Sequence, residues 1–366
     1  MWFQRLDIHD LRNLEEVHLD LCPGLNYLHG ENGAGKTAVL EAVHLLARGR
    51  SFRSPQSVDV IRQAAERLQV HAQVADEHRG TVQVGLAKSR RDRTELRIDG
   101  EPGRRLSQAA ALLPLQVMVP SLSDLVFGSP AERRQWLDWG LFHVKPGYLG
   151  TLRSYLHALR QRNAALKAMA GGALQPRELE VWTEEAARLG EAVAEERAAY
   201  LAELIPEVVG VARELTPSMA VAIEHRRGWS GDQGLRKVLG DSVPREVKSG
   251  TTQSGPHRGD VALRLAGMPA GAAASRGQGK ALASAMMLGQ ARLLMRTARR
   301  ASVFLIDDIG AELDLPHSAR FFRLLAELGS QILATSNSGP EALRGVEGTE
   351  LAVFHVEHGR VTRVEP

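Results

Sequence analysis

The chain has 366 residues, of which 43% are hydrophobic and 24% are charged, and its formal net charge is +3. This balance is typical of a globular protein large enough for more than one lobe. It excludes a polycation, so any binding of nucleic acid must come from local basic clusters. The single cysteine, Cys22, excludes an internal disulfide, and neither a signal-peptide pattern nor an apolar run of about eighteen residues occurs. We therefore expect a cytoplasmic protein that does not contact a membrane.

The first motif along the chain is a phosphate-binding loop at residues 30 to 37, GENGAGKT, which fits G-x-x-x-x-G-K-[ST]. The segment before it predicts a short apolar strand, and Val39, Val43 and Leu46 after it predict a helix. Glycines allow backbone N–H groups to surround an anion, while lysine and hydroxyl side chains reach phosphate and Mg²⁺. The alternative is a glycine-rich turn with an incidental lysine, and the flanking strand and helix argue against it. The predicted nucleotide-binding residues are Gly30, Glu31, Asn32, Gly33, Ala34, Gly35, Lys36 and Thr37.

The middle of the chain changes from strand to helix patterns. Alternating apolar residues between 67 and 98 predict antiparallel strands joined by hairpins. The basic turn KSRRDR at 88–93 fits a solvated hairpin tip as well as a DNA contact. From about residue 130, apolar residues recur at helical spacing on both sides of the break AGGALQP, which predicts an antiparallel helical hairpin. Asn163 interrupts the apolar seam, and we expect it to set the register of the two helices.

Two further polar segments follow the hairpin. GPHRGD at 255–260 places His257 and Arg258 where they fit a nucleotide or DNA contact, although a polar loop before a strand explains them as well. SRGQGK at 275–280 precedes a helical pattern, with Ser275 at the N-cap position, and predicts a second anion site at a helix start. One nucleotide hardly needs two such sites from one subunit, so a second molecule facing the first head to tail is expected to share it.

The segment VFLIDDIGAELD at 303–314 predicts a buried parallel strand that ends in two acids. Asp307 and Asp308 then lie at the carboxyl end of this strand, where open α/β sheets bind their ligands. Adjacent buried carboxylates are costly without a cation, so they predict a metal site, although a polar turn after a strand is the simpler alternative.

The phosphate loop, SRGQGK and DDIGAELD, in this order, resemble the motifs of an ABC-type ATPase. SRGQ occupies the place of the S-G-G-Q signature of that class, and DDIGAELD that of D-E-P-T-S-A-L-D. Within the class, the chain resembles the RecF family of bacterial DNA replication and repair ATPases, of the ABC/SMC-like type. The segments that carry this resemblance are LRNL, GENGAGKTAVLEAVHLLARGRSFR, SPAERRQWLDWGLF, TTQSGPHRGD and SRGQGK.

The resemblance implies a role for each matching residue. Lys36 and Thr37 bind phosphate and Mg²⁺, Asp307 is the second Mg²⁺ ligand, and Asp308 stands where most ABC-type ATPases have a glutamate general base. Lys36, Asp307 and Asp308 are thereby implied to be catalytic. The residues implied to complete the ATP of a partner subunit, or to contact it across a dimer, are Ser275, Gly277, Gln278 and Asp314.

Three departures from the class pattern predict slow hydrolysis without loss of binding. Asp308 is one methylene shorter than glutamate. Arg276 replaces a signature glycine. A histidine that many ABC proteins carry after the next strand is missing, and Thr335, Ser336 and Asn337 occupy that region.

We expect an α/β fold: an ABC-type P-loop ATPase head with an antiparallel β subdomain and an inserted α-helical hairpin arm. The predicted division is 1–130 and 246–366 for the two parts of the head and 131–245 for the arm. The arm is far shorter than those of SMC-type proteins, and no zinc-hook cysteine pair occurs.

The resemblance implies an ATP-dependent homodimer that binds duplex or gapped DNA, with weak DNA-dependent ATPase activity. It also implies work with RecR and RecO to promote RecA loading, and support of DNA replication and the SOS response. The alternative from another class is a nucleotide-gated protein scaffold whose DNA contact is incidental. A P-loop kinase is a third candidate, and SRGQGK argues against it.

Overall fold

The computed structural model describes residues 1–54, 57–77, 79–91, 93–172, 176–309, 315–339, 343 and 349–365. In this part of the chain, the elements up to residue 118 are β1 (Trp2–Leu11), β2 (Leu14–Asp20), β3 (Leu25–His29), α1 (Lys36–Arg48), β4 (Arg67–Asp76), β5 (Gly80–Ser89), β6 (Thr94–Ile98), β7 (Glu101–Pro102), α2 (Leu106–Leu112) and β8 (Leu115–Met118). Those that follow are α3 (Asp124–Phe127), α4 (Pro130–Val144), α5 (Tyr148–Ala170), α6 (Pro176–Leu215), β9 (Val221–Arg226), α7 (Leu235–Ser249), β10 (Asp260–Leu265), β11 (Met268–Pro269), α8 (Ala270–Ala273), α9 (Arg276–Ala298), β12 (Val303–Ile306), α10 (Leu315–Glu327), β13 (Ile332–Ser336), β14 (Leu351–Glu357) and β15 (Arg360–Val364).

The chain forms two compact units. The first contains residues 1–122, 214–216 and 294–366, and the second contains residues 123–213 and 217–293. The division predicted from the sequence groups residues 246–293 differently, because it places them in the head. In the structure β10 pairs with β9, and a Cβ on Gly289 of α9 would lie 2.7 Å from the Val208 side chain of α6. As an assignment of functional lobes, the three-part division remains a prediction.

An antiparallel sheet in the first unit has the strand order β2-β1-β4-β5-β6-β7. Its strands bury every second side chain, as in β4, where Leu68, Val70, Ala72 and Val74 are buried. The predicted hairpins between residues 67 and 98 are therefore confirmed.

The second sheet of this unit has the order β15-β14-β3-β13-β12-β8. All its pairs are parallel except the one formed by the edge strand β15. Every residue of β12 and β13 is buried, as expected for parallel strands covered on both faces. Because β3, β13 and β12 are neighbours, the residues that follow these three strands lie side by side at one edge of the sheet.

The helix α1 packs against β1, β4 and β5 of the antiparallel sheet and against β13 of the parallel sheet. Val39, Val43 and Leu46 are completely buried, which confirms the predicted helical face. Nearly all other residues of α1 are buried too, so the helix belongs to the core of the unit. The segment just before it therefore rests on a rigid element.

In the second unit, α5 and α6 form the predicted helical hairpin. Arg162 of α5 donates from Nε to Thr183 Oγ1 of α6 at 3.1 Å, and Tyr155, two turns earlier, contacts Gly190, two turns later. The helices are therefore antiparallel. The expectation for Asn163 was wrong: its Oδ1 accepts from the backbone N–H and the hydroxyl of Thr252, at 2.8 and 2.7 Å, so it holds a loop outside the hairpin. In the ranges that the structure describes, no helix has the length and apolarity to span a bilayer.

The pH dependence of stability is expected to include a contribution from His44. Burial, together with the charge of Arg48, lowers the pKa of this histidine from 6.5 to about 4. As the pH falls below 6.5, His44 becomes protonated in the unfolded chain but stays neutral in the folded chain until the pH nears 4. The free energy of unfolding should therefore fall by about 3 kcal/mol between pH 6.5 and pH 4.

Urea unfolding of the wild type and of His44→Gln across this range measures the effect. The variant should lose less stability in acid, and measurements at pH 8, where His44 is neutral whether folded or not, give the baseline cost of the substitution. Parallel acid profiles for the two proteins would contradict the assignment.

Candidate functional site

The phosphate loop connects the end of β3 to the start of α1, as predicted. A Cβ on Gly30 would lie 2.1 Å from the carbonyl oxygen of Val356, and one on Gly35 would lie 2.8 Å from the Leu14 side chain. Both glycines also have positive φ angles, 152° and 121°. These positions therefore accept only glycine. Because Gly35 is the N-cap residue of α1 and offers no side-chain cap, the amide end of this helix is directed at the loop.

The Lys36 side chain is held inside the loop. It is 7% exposed, and its Nζ donates to the carbonyl oxygens of Gly30 and Glu31 at 2.7 and 2.8 Å. The third acceptor is Oδ1 of Asn337 at 3.0 Å. Burial lowers the pKa of the Lys36 ammonium, and the carboxylates of Asp308 and Asp307 act in the opposite direction. The ammonium is thus a preorganised cation at the mouth of the loop.

Three segments meet at Asp307. Its Oδ1 accepts hydrogen bonds from the hydroxyls of Thr37 and Thr335, both at 2.8 Å. Thr335 Oγ1 in turn accepts from the backbone N–H of Asp308 at 2.9 Å. The sequence placed Thr335 and Asn337 near the site, and the structure gives each a contact: Thr335 orients Asp307 and Asn337 binds Lys36.

The paired oxygens of Thr37 and Asp307 suit Mg²⁺. Magnesium prefers hard oxygen ligands and binds through one or two protein groups, with phosphates and waters completing its octahedron. Among the described residues, no cluster of three or more His, Cys, Asp or Glu side chains forms a metal site. The Thr37 hydroxyl and the Asp307 carboxylate are hard oxygen ligands of the kind that Mg²⁺ prefers, whereas structural Zn²⁺ sites are built mainly from sulfur and nitrogen ligands.

Asp308 has a left-handed backbone conformation, with φ of 59°. This region is strained for a residue with a Cβ, and such strain tends to occur at functional positions. The predicted general base, Asp308, therefore has a backbone conformation that is unfavourable for a residue with a Cβ. The catalytic role of Asp308 stays a prediction, and the sequence held no signal for its backbone conformation.

The turn between β1 and β2 supplies contacts that sequence reasoning missed. Asn13 Nδ2 donates to the carbonyl oxygens of Gly33 and Ala34 at 3.1 and 3.0 Å. Its neighbour Arg12 forms a bidentate pair with the completely buried Glu41 of α1, with both distances 2.9 Å. The turn thus fixes the outer side of the phosphate loop. The only sequence signal was the segment LRNL, which entered through family resemblance alone.

The signature segment belongs to the second unit, whereas the phosphate loop belongs to the first. Ser275, Arg276, Gly277 and Gln278 are all exposed. Ser275 caps α9 by accepting from the Gln278 N–H at 3.2 Å, and Gln278 Oε1 accepts from the Ser275 N–H at 2.9 Å. This reciprocal capping box confirms Ser275 as the helix start.

Other predicted contacts have separate outcomes. Asp314, expected to act across a dimer, lies outside the described residues. In the basic turn, Arg90 donates to the carbonyl oxygens of Ala65 and Arg62 at 2.8 and 2.9 Å and is therefore structural. Arg91 and Arg93 are exposed. The two residues of the GPHRGD loop differ: Arg258 is exposed, whereas the His257 ring points inward onto Tyr155.

The fold and this site define the chain as an ABC-type ATPase head of the SMC-like class. Residues 2–361 match the family model described as "RecF/RecN/SMC N terminal domain". A curated relative from Shewanella baltica (strain OS155 / ATCC BAA-1091), "DNA replication and repair protein RecF", is 37% identical over 100% of both chains. Another of that name, from Thioalkalivibrio sulfidiphilus (strain HL-EbGR7), is 40% identical over 98% of both. The chain belongs to the RecF family.

Solved structures agree with the fold. "Structure of the recombination mediator protein RecF-ATP in RecFOR pathway" superposes with a TM-score of 0.89 at 23% identity, covering 100% of this chain and 98% of the other. An Smc head domain with an extended coiled coil from Pyrococcus furiosus gives a TM-score of 0.61 at 15% identity, over 99% and 96% of the two chains. The head fold is therefore common to this chain and both structures.

Replacing Asp308 by glycine is expected to release backbone strain. The left-handed conformation costs a residue with a Cβ about 1–2 kcal/mol, from which the extra entropy of glycine in the unfolded chain removes about 0.4–1 kcal/mol. Asp308→Gly should thus raise the free energy of unfolding by about 0.8 kcal/mol, within a range of about 0–1.6 kcal/mol, as measured by urea unfolding.

Ala266→Gly calibrates this measurement. Ala266 has φ of 47° in the turn after β10 and carries no functional group. A gain at Ala266 together with a loss at Asp308 would show that the Asp308 carboxylate stabilises the fold, and would contradict the strain at this position.

Proposed function

We propose that this protein is an ATP-dependent DNA-binding clamp of recombinational repair in the cytoplasm. The observation that carries the proposal is the convergence of Lys36, Thr37 and Asp307 on one point, together with the exposure of Ser275 at the tip of a separate helix. The first group suits a Mg²⁺-bound triphosphate, and the second suits the γ-phosphate of a nucleotide held by another molecule.

The nucleotide half of the proposal rests on the geometry of the loop. The amide end of α1 and the Lys36 ammonium offer positive charge at the same place. When bound, Mg²⁺ would neutralise phosphate charge beside Thr37 and Asp307. The RecF-ATP structure with which this chain superposes supports ATP as the nucleotide here.

The dimer half rests on exposure and charge. The amide end of α9 and the Ser275 hydroxyl are open to solvent and able to receive an anion. Each charge-assisted hydrogen bond to a phosphate contributes on the order of 1.5–3 kcal/mol. Loss of the γ-phosphate removes several such bonds together, so hydrolysis would open the dimer.

Hydrolysis is proposed to be slow. Asp308 occupies the place of the general base with a short side chain on strained backbone, and Thr335 orients Asp307 from the end of β13. The rate of ATP hydrolysis would then set the lifetime of the DNA-bound dimer, and the DNA-dependent ATPase activity would be weak.

DNA is proposed as the cargo because relatives across the whole length of the chain are named DNA replication and repair proteins. Binding would be directed to phosphates, indifferent to base sequence and sensitive to salt. The structural relative with ATP is described as a recombination mediator protein in the RecFOR pathway. By this likeness we propose RecO and RecR as partners, RecA loading as the outcome, and roles in DNA replication and the SOS response.

A nucleotide-gated scaffold remains the second candidate. The phosphate loop and the Ser275 helix start would equally allow ATP to control the binding of a protein partner, with DNA contact incidental. Duplex-DNA affinity measured as a function of salt, with and without ATP, separates the two. The clamp requires ATP to tighten DNA binding. A scaffold would bind DNA weakly and independently of ATP.

ATP with Mg²⁺, but not ADP, is expected to dimerise the protein at micromolar concentration, as measured by sedimentation velocity. Ser275→Arg should abolish dimerisation and leave nucleotide affinity unchanged, because the arginine fills the space of the partner's phosphate. Ser154→Arg makes the same change at an exposed position of α5 and serves as the control. A wild type that stays monomeric with ATP would refute the clamp, and loss of nucleotide affinity in the Ser275→Arg monomer would refute the role across the dimer.

A further inference from the structure

The loop Gly255–Asp260 of the second unit is not used by the nucleotide site, although the sequence singled it out. It contains His257, Arg258 and Asp260, and it adjoins four arginines from other parts of the chain, Arg133, Arg134, Arg197 and Arg227. Some of these side chains form hydrogen bonds that hold the loop in place, and others are accessible to solvent.

His257 and Pro256 hold the loop in place through hydrogen bonds to the rest of the unit. His257 Nδ1 lies 2.6 Å from the Tyr155 hydroxyl, and its Nε2 lies 3.1 Å from the Thr252 carbonyl oxygen. The carbonyl oxygen of Pro256 accepts from Arg197 Nη1 at 2.7 Å. His257 is thus a structural residue, and its side chain is committed to the protein interior.

Two carboxylates, Asp260 in the loop and Asp138 beside it, are each paired with a buried arginine. Asp138 receives Nε and Nη2 of Arg197, both at 2.8 Å. Asp260 receives Nε and Nη2 of Arg133 at 2.8 and 3.2 Å. These bidentate pairs satisfy both acids with arginines other than those on the surface.

Three further arginines lie around the loop: Arg258 is exposed, and Arg134 and Arg227 are half-buried. Arg134 Nη1 donates to the Gly259 carbonyl oxygen at 2.7 Å, and the Gly255 N–H bonds to the Gly228 carbonyl oxygen at 3.1 Å, which brings Arg227 alongside. Within the described ranges none of these three guanidinium groups has a carboxylate partner. Burial, and then the charges of Arg197 and Arg258, lower the pKa of Arg134, while the carboxylates of Asp260 and Asp138 raise it. The positive charge at this loop is therefore only partly offset by nearby carboxylates.

Each of the three arginines is held in place by uncharged contacts. Arg227 stacks on the Trp229 ring, with 4.8 Å from its guanidinium carbon to the ring centroid. Arg258 follows the rigid Pro256–His257 pair and reaches toward Gln253 Oε1 at 3.5 Å. Preorganised arginines lose little entropy when they bind an anion.

We propose that Arg258, Arg134 and Arg227 form a phosphate-contact surface for duplex DNA. This inference rests on the proposed DNA-binding function and names the residues that carry it. A polyanion suits the surface better than a free nucleotide does, because the charges are spread over three separate segments. The proposed nucleotide site uses the glycine loop of the first unit and the Ser275 helix start of another molecule, and it includes none of these three arginines.

The test compares Arg258→Gln with the wild type in duplex-DNA binding at several salt concentrations, with ATP and Mg²⁺ present. The logarithm of the association constant falls linearly with the logarithm of the salt concentration, and each lost phosphate contact makes this slope less steep by about 0.9. Arg258→Gln should therefore lower affinity at low salt and flatten the slope by about 1, and Arg258→Gln with Arg227→Gln by about 2. Arg258→Lys should keep the wild-type slope, because the contact is a point charge.

Arg160→Gln is the matched control, since Arg160 is an exposed arginine on α5 of the same unit. It should leave affinity and slope unchanged. ATP-dependent dimerisation, measured by sedimentation, should be the same in all these variants.

The outcomes separate the two levels of proposal. A wild type that does not bind DNA under any of these conditions overturns the proposed function and this inference together. A wild type that binds, with Arg258→Gln indistinguishable from Arg160→Gln, overturns only the inference. Loss of ATP-dependent dimerisation in Arg258→Gln would assign the residue to the nucleotide instead, and would also overturn it.

Discussion

The hydrogen bond between Thr37 and Asp307 joins residues 270 positions apart in the chain, and the site depends on the strand order that permits it. β3 lies beside β13, and β13 beside β12. Their carboxyl ends therefore present the phosphate loop, Asn337 with Thr335, and Asp307 in a row. A change of strand order would keep every motif and destroy the site. Burial of the parallel strands on both faces holds that order in place.

Local chemistry explains which parts could be predicted from the sequence. The glycine loop, the helix face of α1, the alternating strands and the capping residue Ser275 all depend on neighbours a few positions away. Asn13 and Asn163 depend on partners that only the folded chain supplies. Asn13 binds carbonyl oxygens of the phosphate loop, and Asn163 binds Thr252. Nothing in the local pattern distinguishes such an amide from one that faces water.

His257 and Arg258 illustrate the same limit within one loop. The two adjacent residues are both polar and basic, and the sequence offered the same alternatives for both: a nucleotide or DNA contact, or a polar loop. The Tyr155 hydroxyl fixes the histidine inward, while the arginine stays in solvent. One turn thus directs the His257 side chain into the protein and the Arg258 side chain into solvent. The locked histidine is what makes the neighbouring arginine a defined feature of the surface.

The two halves of the proposed nucleotide site, at Lys36 and at Ser275, also differ in how complete they are. At the first half, the Lys36 ammonium donates hydrogen bonds to oxygens of Gly30, Glu31 and Asn337, so contacts within one molecule hold it in place. The half at Ser275 is satisfied only by its own capping box and is otherwise open to solvent. On the proposed mechanism, binding therefore needs one molecule and assembly needs two. The strained Asp308 lies on the same half as Lys36, so on the proposed mechanism the subunit that holds the nucleotide would also control how long the assembled state lasts.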